Sequence, residues 1–210
     1  MAASVKSDWE VDIMRQAGHI VGEGLKLLQK TVRPGISTGE LDAVFEKHVR
    51  TSGAVPTFKG YVGDAAVTVG VGKISAKAQR LIDTTRESLE AAIAVVGPGA
   101  KLSVIAATIQ NYAESRGYAV VKKYVGHGIG QKLHEEPQVP NFVGDNLASW
   151  EFILRPGHCI AIEPMVNEGT DDVRTLSDDW TVVTKDRRLS AHFEHTIAVT
   201  KDGREVLTRV

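Results

Sequence analysis

Four stretches of the sequence set histidine or carboxylate side chains where they can do chemistry. Gly126-His127-Gly128-Ile129-Gly130 flanks a histidine with glycines, which let a ligand or another backbone come close. His134-Glu135-Glu136-Pro137 follows seven residues later. Glu163 interrupts the apolar run Ile160-Ala161-Ile162 before Pro164-Met165, and Glu194 stands between Phe193 and His195-Thr196-Ile197. A carboxylate in a buried strand needs a partner. Either Glu alone reads as a solvent-facing residue on an edge strand, and a lone His127 reads as structural. Two such carboxylates, beside the Gly-flanked His127 and strand-initial Asp64, point instead to a His/carboxylate metal site. Imidazole and carboxylate ligands without thiolate suit Mn, Fe, Co or Zn. The glycine-rich stretch is weak as a phosphate loop, since it lacks the required spacing and no clear helix follows. The acidic pairs Asp171-Asp172 and Asp178-Asp179 read as solvated turn residues.

These residues must be held by helices and strands that leave their own marks. Ser7 with Glu10 is a capping box, followed at helical spacing by Ile13, Ala17, Ile20, Val21, Gly24 and Leu28. Pro34-Gly35 stops that helix. Ser37 with Glu40 opens a second helix, with Leu41, Val44, Phe45 and Val49 on one face and Gly53 beyond its end. Residues 65–71 read as a strand. A long amphipathic helix is expected over about 75–96, closed by Gly97-Pro98-Gly99, and a fourth helix carries Ile105, Ile109, Tyr112 and Ala113 before Gly117. Beyond Tyr118 the chain is rich in turns and strands, expected at 119–125, 159–166, 180–184 and 193–200.

An internal repeat underlies this order. Pro34-Gly35 recurs as Pro98-Gly99, Leu41 as Ile105, Phe45 as Ile109, Val49 as Ala113 and Gly53 as Gly117, each pair 64 positions apart. The two halves, each a helix pair leading into strands, are unequal. Only 21 residues separate Gly53 from the next helix, whereas 93 follow Gly117. At ~5–6 residues per strand plus turns, the first half has room for about two or three strands. If the halves once matched, the first has lost sheet.

Bulk properties narrow the class. A chain of 210 residues with 42% apolar residues can bury a sizeable core. The formal net charge of -1 offers no basic surface for nucleic acid or anionic lipid. One cysteine, Cys159, rules out a disulfide framework or a thiolate zinc site within the chain, and its apolar neighbours mark it as a buried small hydrophobe. No apolar run approaches membrane-spanning length, so a soluble cytoplasmic protein is expected.

The motifs together carry a resemblance. Tyr124 through Gly130, His134-Glu135-Glu136-Pro137-Gln138-Val139, Ile162-Glu163-Pro164-Met165-Val166-Asn167, and Trp180-Thr181-Val182 with Phe193-Glu194-His195-Thr196 resemble the C-terminal motifs of type I methionine aminopeptidases. Pro34-Gly35-Ile36-Ser37-Thr38-Gly39-Glu40-Leu41 resembles their second helix. The short path from His134 to Glu163 leaves no room for the helical insertion of type II enzymes, and the lack of an N-terminal Cys/His module points to the bacterial short form. The resemblance implies an α+β fold of the pita-bread (creatinase/aminopeptidase) type. That is a pseudo-twofold antiparallel sheet with helix pairs, here with a truncated first half, in one catalytic domain over residues 1–210. It implies a metallopeptidase that removes the initiator methionine from nascent peptides with a small second residue, meeting their N-termini at the ribosome, with no nucleic acid or membrane partner. Metal ligation falls to Asp64, His127, Glu163 and Glu194. Glu163 would be the general acid/base, His134 would contact substrate and stabilise developing charge, and Trp180 would lie near the methionine pocket.

The chain departs from the family at one place. A family segment with at least two strands, a substrate-facing histidine and a second metal-binding aspartate has no counterpart between Tyr61 and Val62. Asp8, Asp12 and Asp42 lie in helical stretches and match nothing. The resemblance therefore implies one divalent ion (Co, Mn, Fe or Zn), against two in intact relatives, with impaired activity. Asp64 is expected to be poorly held, having lost its neighbouring strand. Two alternatives stand beside this reading. One is a non-catalytic pita-bread protein that binds peptide or protein. The other is a Pro-directed peptidase of the same fold, disfavoured because those usually carry an extra N-terminal domain.

Overall fold

A computed structural model describes residues 3–56, 60–144 and 151–210. Phe58 and Lys59, just before the Tyr61–Val62 join, lie outside the described residues. Helix α1 (Asp8–Thr31) starts on the expected capping box: Glu10 N–H donates to Ser7 Oγ, and Ser7 N–H donates back to Glu10 Oε2. Helix α2 (Thr38–Thr51) repeats the device with Ser37 and Glu40. Helix α3 (Ala76–Ala94) is capped by Ser75, and α4 (Leu102–Glu114) follows the Pro98-Gly99 turn. The sequence repeat is a backbone repeat as well. Gly35 and Gly99 have φ of 89° and 84°, and Gly53 and Gly117 have 77° and 81°. Both pairs are left-handed positions where a Cβ is disfavoured.

The strands are β1 (Ala65–Ala66), β2 (Ala119–Val120), β3 (Gly126–Gly128), β4 (Glu135–Val139), β5 (Cys159–Ile162) and β6 (Met165–Asn167). They continue as β7 (Val173–Thr175), β8 (Val182–Thr184), β9 (Ser190–His192), β10 (Glu194–Thr200) and β11 (Gly203–Val206). The main sheet runs β1-β10-β5-β3-β4, with β11 also on β10. A smaller sheet runs β2-β6-β9, and β7 pairs with β8. All pairings are antiparallel.

Several expected strands are shorter. The run 65–71 is strand only at Ala65–Ala66, because among the described residues no partner continues beside it. The run 119–125 pairs only at Ala119–Val120. The run 159–166 breaks into β5 and β6 at Glu163-Pro164, where proline supplies no N–H to a ladder. The run 180–184 pairs from Val182, and 193–200 from Glu194.

The larger core lies where α3 and α4 cover the sheet, around Leu89, Ile105, Ile109, Ile160, Ile162 and Ile197. A second cluster joins Met14 of α1 to Val62, Ile129, Cys159, Ala198 and Leu207. Here α1 comes unusually close to the chain: a Cβ on Gly63 would sit 2.9 Å from the backbone of Gly18. Cys159 is buried, as expected.

Candidate metal centre

Strand register brings the charged residues together. Ala66 lies opposite Glu194 on β10, so Asp64, two residues earlier, shares its face. His195 lies opposite Ile162, which sets Glu163 across from Glu194 when the register continues by one position. Ala161, two residues from Glu163, faces His127 on β3. Alternation along four strands thus sends Asp64, Glu194, Glu163 and His127 to the same face, while Ile160 and Ile162 point into the core beneath α3 and α4.

Distances follow suit. His127 Nε2 is 3.7 Å from Asp64 Oδ2 and 3.5 Å from Glu163 Oε1. Single ligand atoms of Asp64, His127 and Glu194 lie within 4.8 Å of one another, a group able to hold a metal ion. His127 Nδ1 is 3.0 Å from the Gly128 carbonyl oxygen, which leaves Nε2 for the cluster. Separations of 3.5–3.7 Å are too long for hydrogen bonds. They match the ~3.4 Å between donors of a tetrahedron built on bonds of ~2.1 Å.

Asp64 is better held than the sequence led us to expect. Its N–H donates to Thr196 Oγ1 at 3.0 Å, and the same hydroxyl donates to its carbonyl at 2.7 Å. One fully buried side chain on β10 thus supplies both hydrogen bonds that a neighbouring strand would give. The join itself is pinned: Val62 N–H donates to the Gly130 carbonyl, and Tyr61 Oη donates to Glu10 Oε1.

A fifth residue belongs to the cluster and was not singled out from the sequence. His192 Nε2 lies 3.6 Å from Glu163 Oε2, and Glu163, His192 and Glu194 form a second group able to hold a metal ion. The available signal was spacing, since His192 precedes Glu194 by two positions and alternation sends both the same way.

The electrostatics describe a site built around positive charge. Burial, reinforced by the Asp64 carboxylate, pushes the Glu163 carboxyl up to about 8. Burial and the neighbouring Asp64 and Glu163 also raise Glu194. Burial lowers His127, and it lowers His192 to about 4, so both rings are neutral and ready to ligate. Glu194 Oε1 and His192 Nε2 are buried with no hydrogen-bond partner among the described residues. Three crowded carboxylates, two neutral imidazoles and two orphaned ligand atoms fit a divalent cation.

His127, Glu163 and His192 of the cluster also line a cavity of about 1170 Å³, together with His134, Met165 and Trp180, among others. The His134 ring meets His127 edge-on at 4.3 Å between centroids. Trp180 reaches the cavity from a turn and is 85% exposed. In that turn Asp178 accepts from the N–H groups of Trp180 and Thr181, a solvated role as expected.

Comparison with known proteins agrees with this geometry. The sequence model of metallopeptidase family M24 matches residues 52–201. Methionine aminopeptidase 1 of Bacillus subtilis is 40% identical over 98% of this chain and 98% of the relative. That alignment spans 247 positions and this chain has 210 residues, so at least 37 positions of it are unfilled here. The crystal structure of methionine aminopeptidase from Thermotoga maritima superposes with a TM-score of 0.93 at 33% identity, covering 100% of each chain. An Xaa-Pro dipeptidase from Bacillus anthracis, at 20% identity and a TM-score of 0.74, covers 98% of this chain and 62% of its own and shares the fold. A pita-bread sheet with paired helices, the motif residues on one face of it and these relatives place the chain in metallopeptidase family M24, among its methionine aminopeptidases.

Proposed function

We propose that this chain is a methionyl aminopeptidase that removes the initiator methionine from nascent peptides with a small second residue. The observation that carries the reading is the convergence of Asp64, His127, Glu163 and Glu194 on one sheet face, where His127 and Glu163 also line a large cavity. These four side chains would hold a divalent ion, Co, Mn, Fe or Zn, and they suffice for one. When bound, the ion supplies Lewis acidity that polarises the scissile carbonyl and acidifies the attacking water. Glu163 takes a proton from that water on a carboxylate oxygen and returns it to the departing amine. His134, beside His127 on the cavity wall, is placed to donate an N–H to the oxygen where negative charge develops. Met165, Val182 and Trp180 give the cavity an apolar side for the methionine side chain.

The reading includes one catalytic domain over residues 1–210, a cytoplasmic location and encounter with nascent chains at the ribosome. None of the described helices is long and apolar enough to cross a membrane. The family segment missing between Tyr61 and Val62 accounts for the unfilled alignment positions, and its loss lowers turnover relative to intact relatives. The decisive experiment is methionine release from a Met-Ala peptide by metal-loaded protein. Release with preference over a Leu-first peptide supports the reading. No release would favour a non-catalytic peptide binder, and equal cleavage of both peptides would remove the methionine specificity.

A further inference from the structure

We propose that His192, Glu163 and Glu194 form a second divalent-cation position, with His192 standing in for the aspartate ligand that the shortened first half no longer supplies. The expectation of one ion counted only residues of the family motifs, and His192 is outside them. The proposal rests on the metallopeptidase reading for the first ion and goes beyond it in adding a ligand and a site.

The two oxygens of Glu163 are divided between two imidazoles. Oε1 lies 3.5 Å from His127 Nε2, and Oε2 lies 3.6 Å from His192 Nε2. Neither separation is a hydrogen bond, and both suit donors that share a cation. Each imidazole anchors its own ligand group: Asp64, His127 and Glu194 in one, Glu163, His192 and Glu194 in the other. Glu194 is common to both, and Glu163 faces both rings. Bridging carboxylates of this kind hold paired ions close together.

The orphaned atoms fall on the same triad. Glu194 is 5% exposed, and its Oε1 has no hydrogen-bond partner among the described residues. The His192 side chain is 37% exposed, yet its Nε2 is buried and also without a hydrogen-bond partner among the described residues. An imidazole nitrogen held dry and unpaired against a carboxylate is costly unless something positive lies between them.

The ring direction is fixed by the backbone. His192 N–H donates to Thr68 Oγ1 at 2.9 Å, and Thr68 Oγ1 donates to the His192 carbonyl at 2.7 Å. On the other side His192 pairs with Met165 of β6. Phe193 turns into the core, which sends His192 and Glu194 to the opposite face.

Chelator-treated protein titrated with cobalt(II), followed by calorimetry and visible absorption, tests the proposal. Wild type is expected to take two equivalents. His192→Ala is expected to take one, with affinity for any second ion lower by at least about tenfold. The same stoichiometry in both proteins, or fewer than two equivalents in wild type, overturns the proposal. Should the variant fail to fold, nitrogen-labelled wild type titrated with zinc gives the answer. A shift of the His192 Nε2 resonance arriving with the second equivalent supports the site, and its absence overturns it. Methionine release is measured separately. Two equivalents without release would leave this site standing and remove the peptidase reading, whereas release with one equivalent would do the reverse.

Discussion

The two halves of this molecule share their helices and differ in their sheets. Each helix pair has a Pro-Gly turn between its helices and a left-handed glycine after the second, with φ values that agree within a few degrees between halves. After Gly117 the described residues form ten strands. After Gly53 the described residues form one, of two residues. Three of the four motif ligands come from the richer half and one, Asp64, from the poorer. That one is held chiefly by β10 of the other half, through two ladder pairs and the Thr196 hydroxyl. The position of Asp64 is thus set by the strand facing it, and a short first sheet can still keep a candidate ligand in register.

The largest effect is expected at the residue that faces both imidazoles. Glu163→Gln cannot exchange the proton and is a poorer ligand, so methionine release should fall roughly 100- to 10,000-fold. Rates near wild type would take Glu163 out of the mechanism. The next test is pH. A carboxyl with a folded-state pKa of about 8, against its ordinary 4.5, binds its proton more tightly when folded. The stability it lends is full below 4.5 and lost as pH rises through about 8. Melting of chelator-treated protein should therefore weaken over that window, by at most about 5 kcal/mol from Glu163. Saturating metal should flatten the slope, and a flat profile without metal would mean the carboxylates are not crowded as described.

Thr196→Val tests whether the second half holds the ligand of the first. It leaves the Asp64 N–H and C=O without their partner, at a cost of about 2 kcal/mol, and should weaken metal binding. Unchanged metal affinity by calorimetry would break the comparison. Gly35→Ala and Gly99→Ala sharpen it instead. Neither Cβ would meet any neighbour, so only φ is at stake, and each should cost about 1 kcal/mol. Chemical denaturation giving unequal costs would show that the two turns are not equivalent. The smallest effect is expected at the sheet edge beside the short β1. Val69 and Val71 are exposed there, and weak, concentration-dependent self-association should be visible by light scattering.

What the sequence disclosed was mostly local. The Ser7–Glu10 and Ser37–Glu40 boxes are complete within four residues, so the starts of α1 and α2 were legible. Glu163 and Glu194 stood out because charge in an apolar strand is costly anywhere. The run 65–71 reads as a strand from its residues, but pairing needs a partner, and the described residues supply one only at Ala65–Ala66. His192 was invisible for the opposite reason. Its meaning lies in an unpaired nitrogen and in the second oxygen of Glu163, and neither exists until the strands are assembled. Thr196 was missed likewise, since a hydroxyl that replaces a strand looks like any β-branched residue in a sheet.

The two-residue length of β1 has a consequence for survival in the cell. Among the described residues, two ladder pairs and one hydroxyl tie the stretch from Asp64 to Gly72 to the rest of the sheet at its first end, and Thr68 adds a second clamp at His192. Segments so lightly fastened open at far less than the global free energy. A cation at Asp64 and Glu194 adds a fastening between the same two strands, and ligand binding to the folded state alone deepens that closure with concentration. Metal starvation would then do more than silence the protein: it would present residues 67–72 to proteases, and abundance would follow the metal supply.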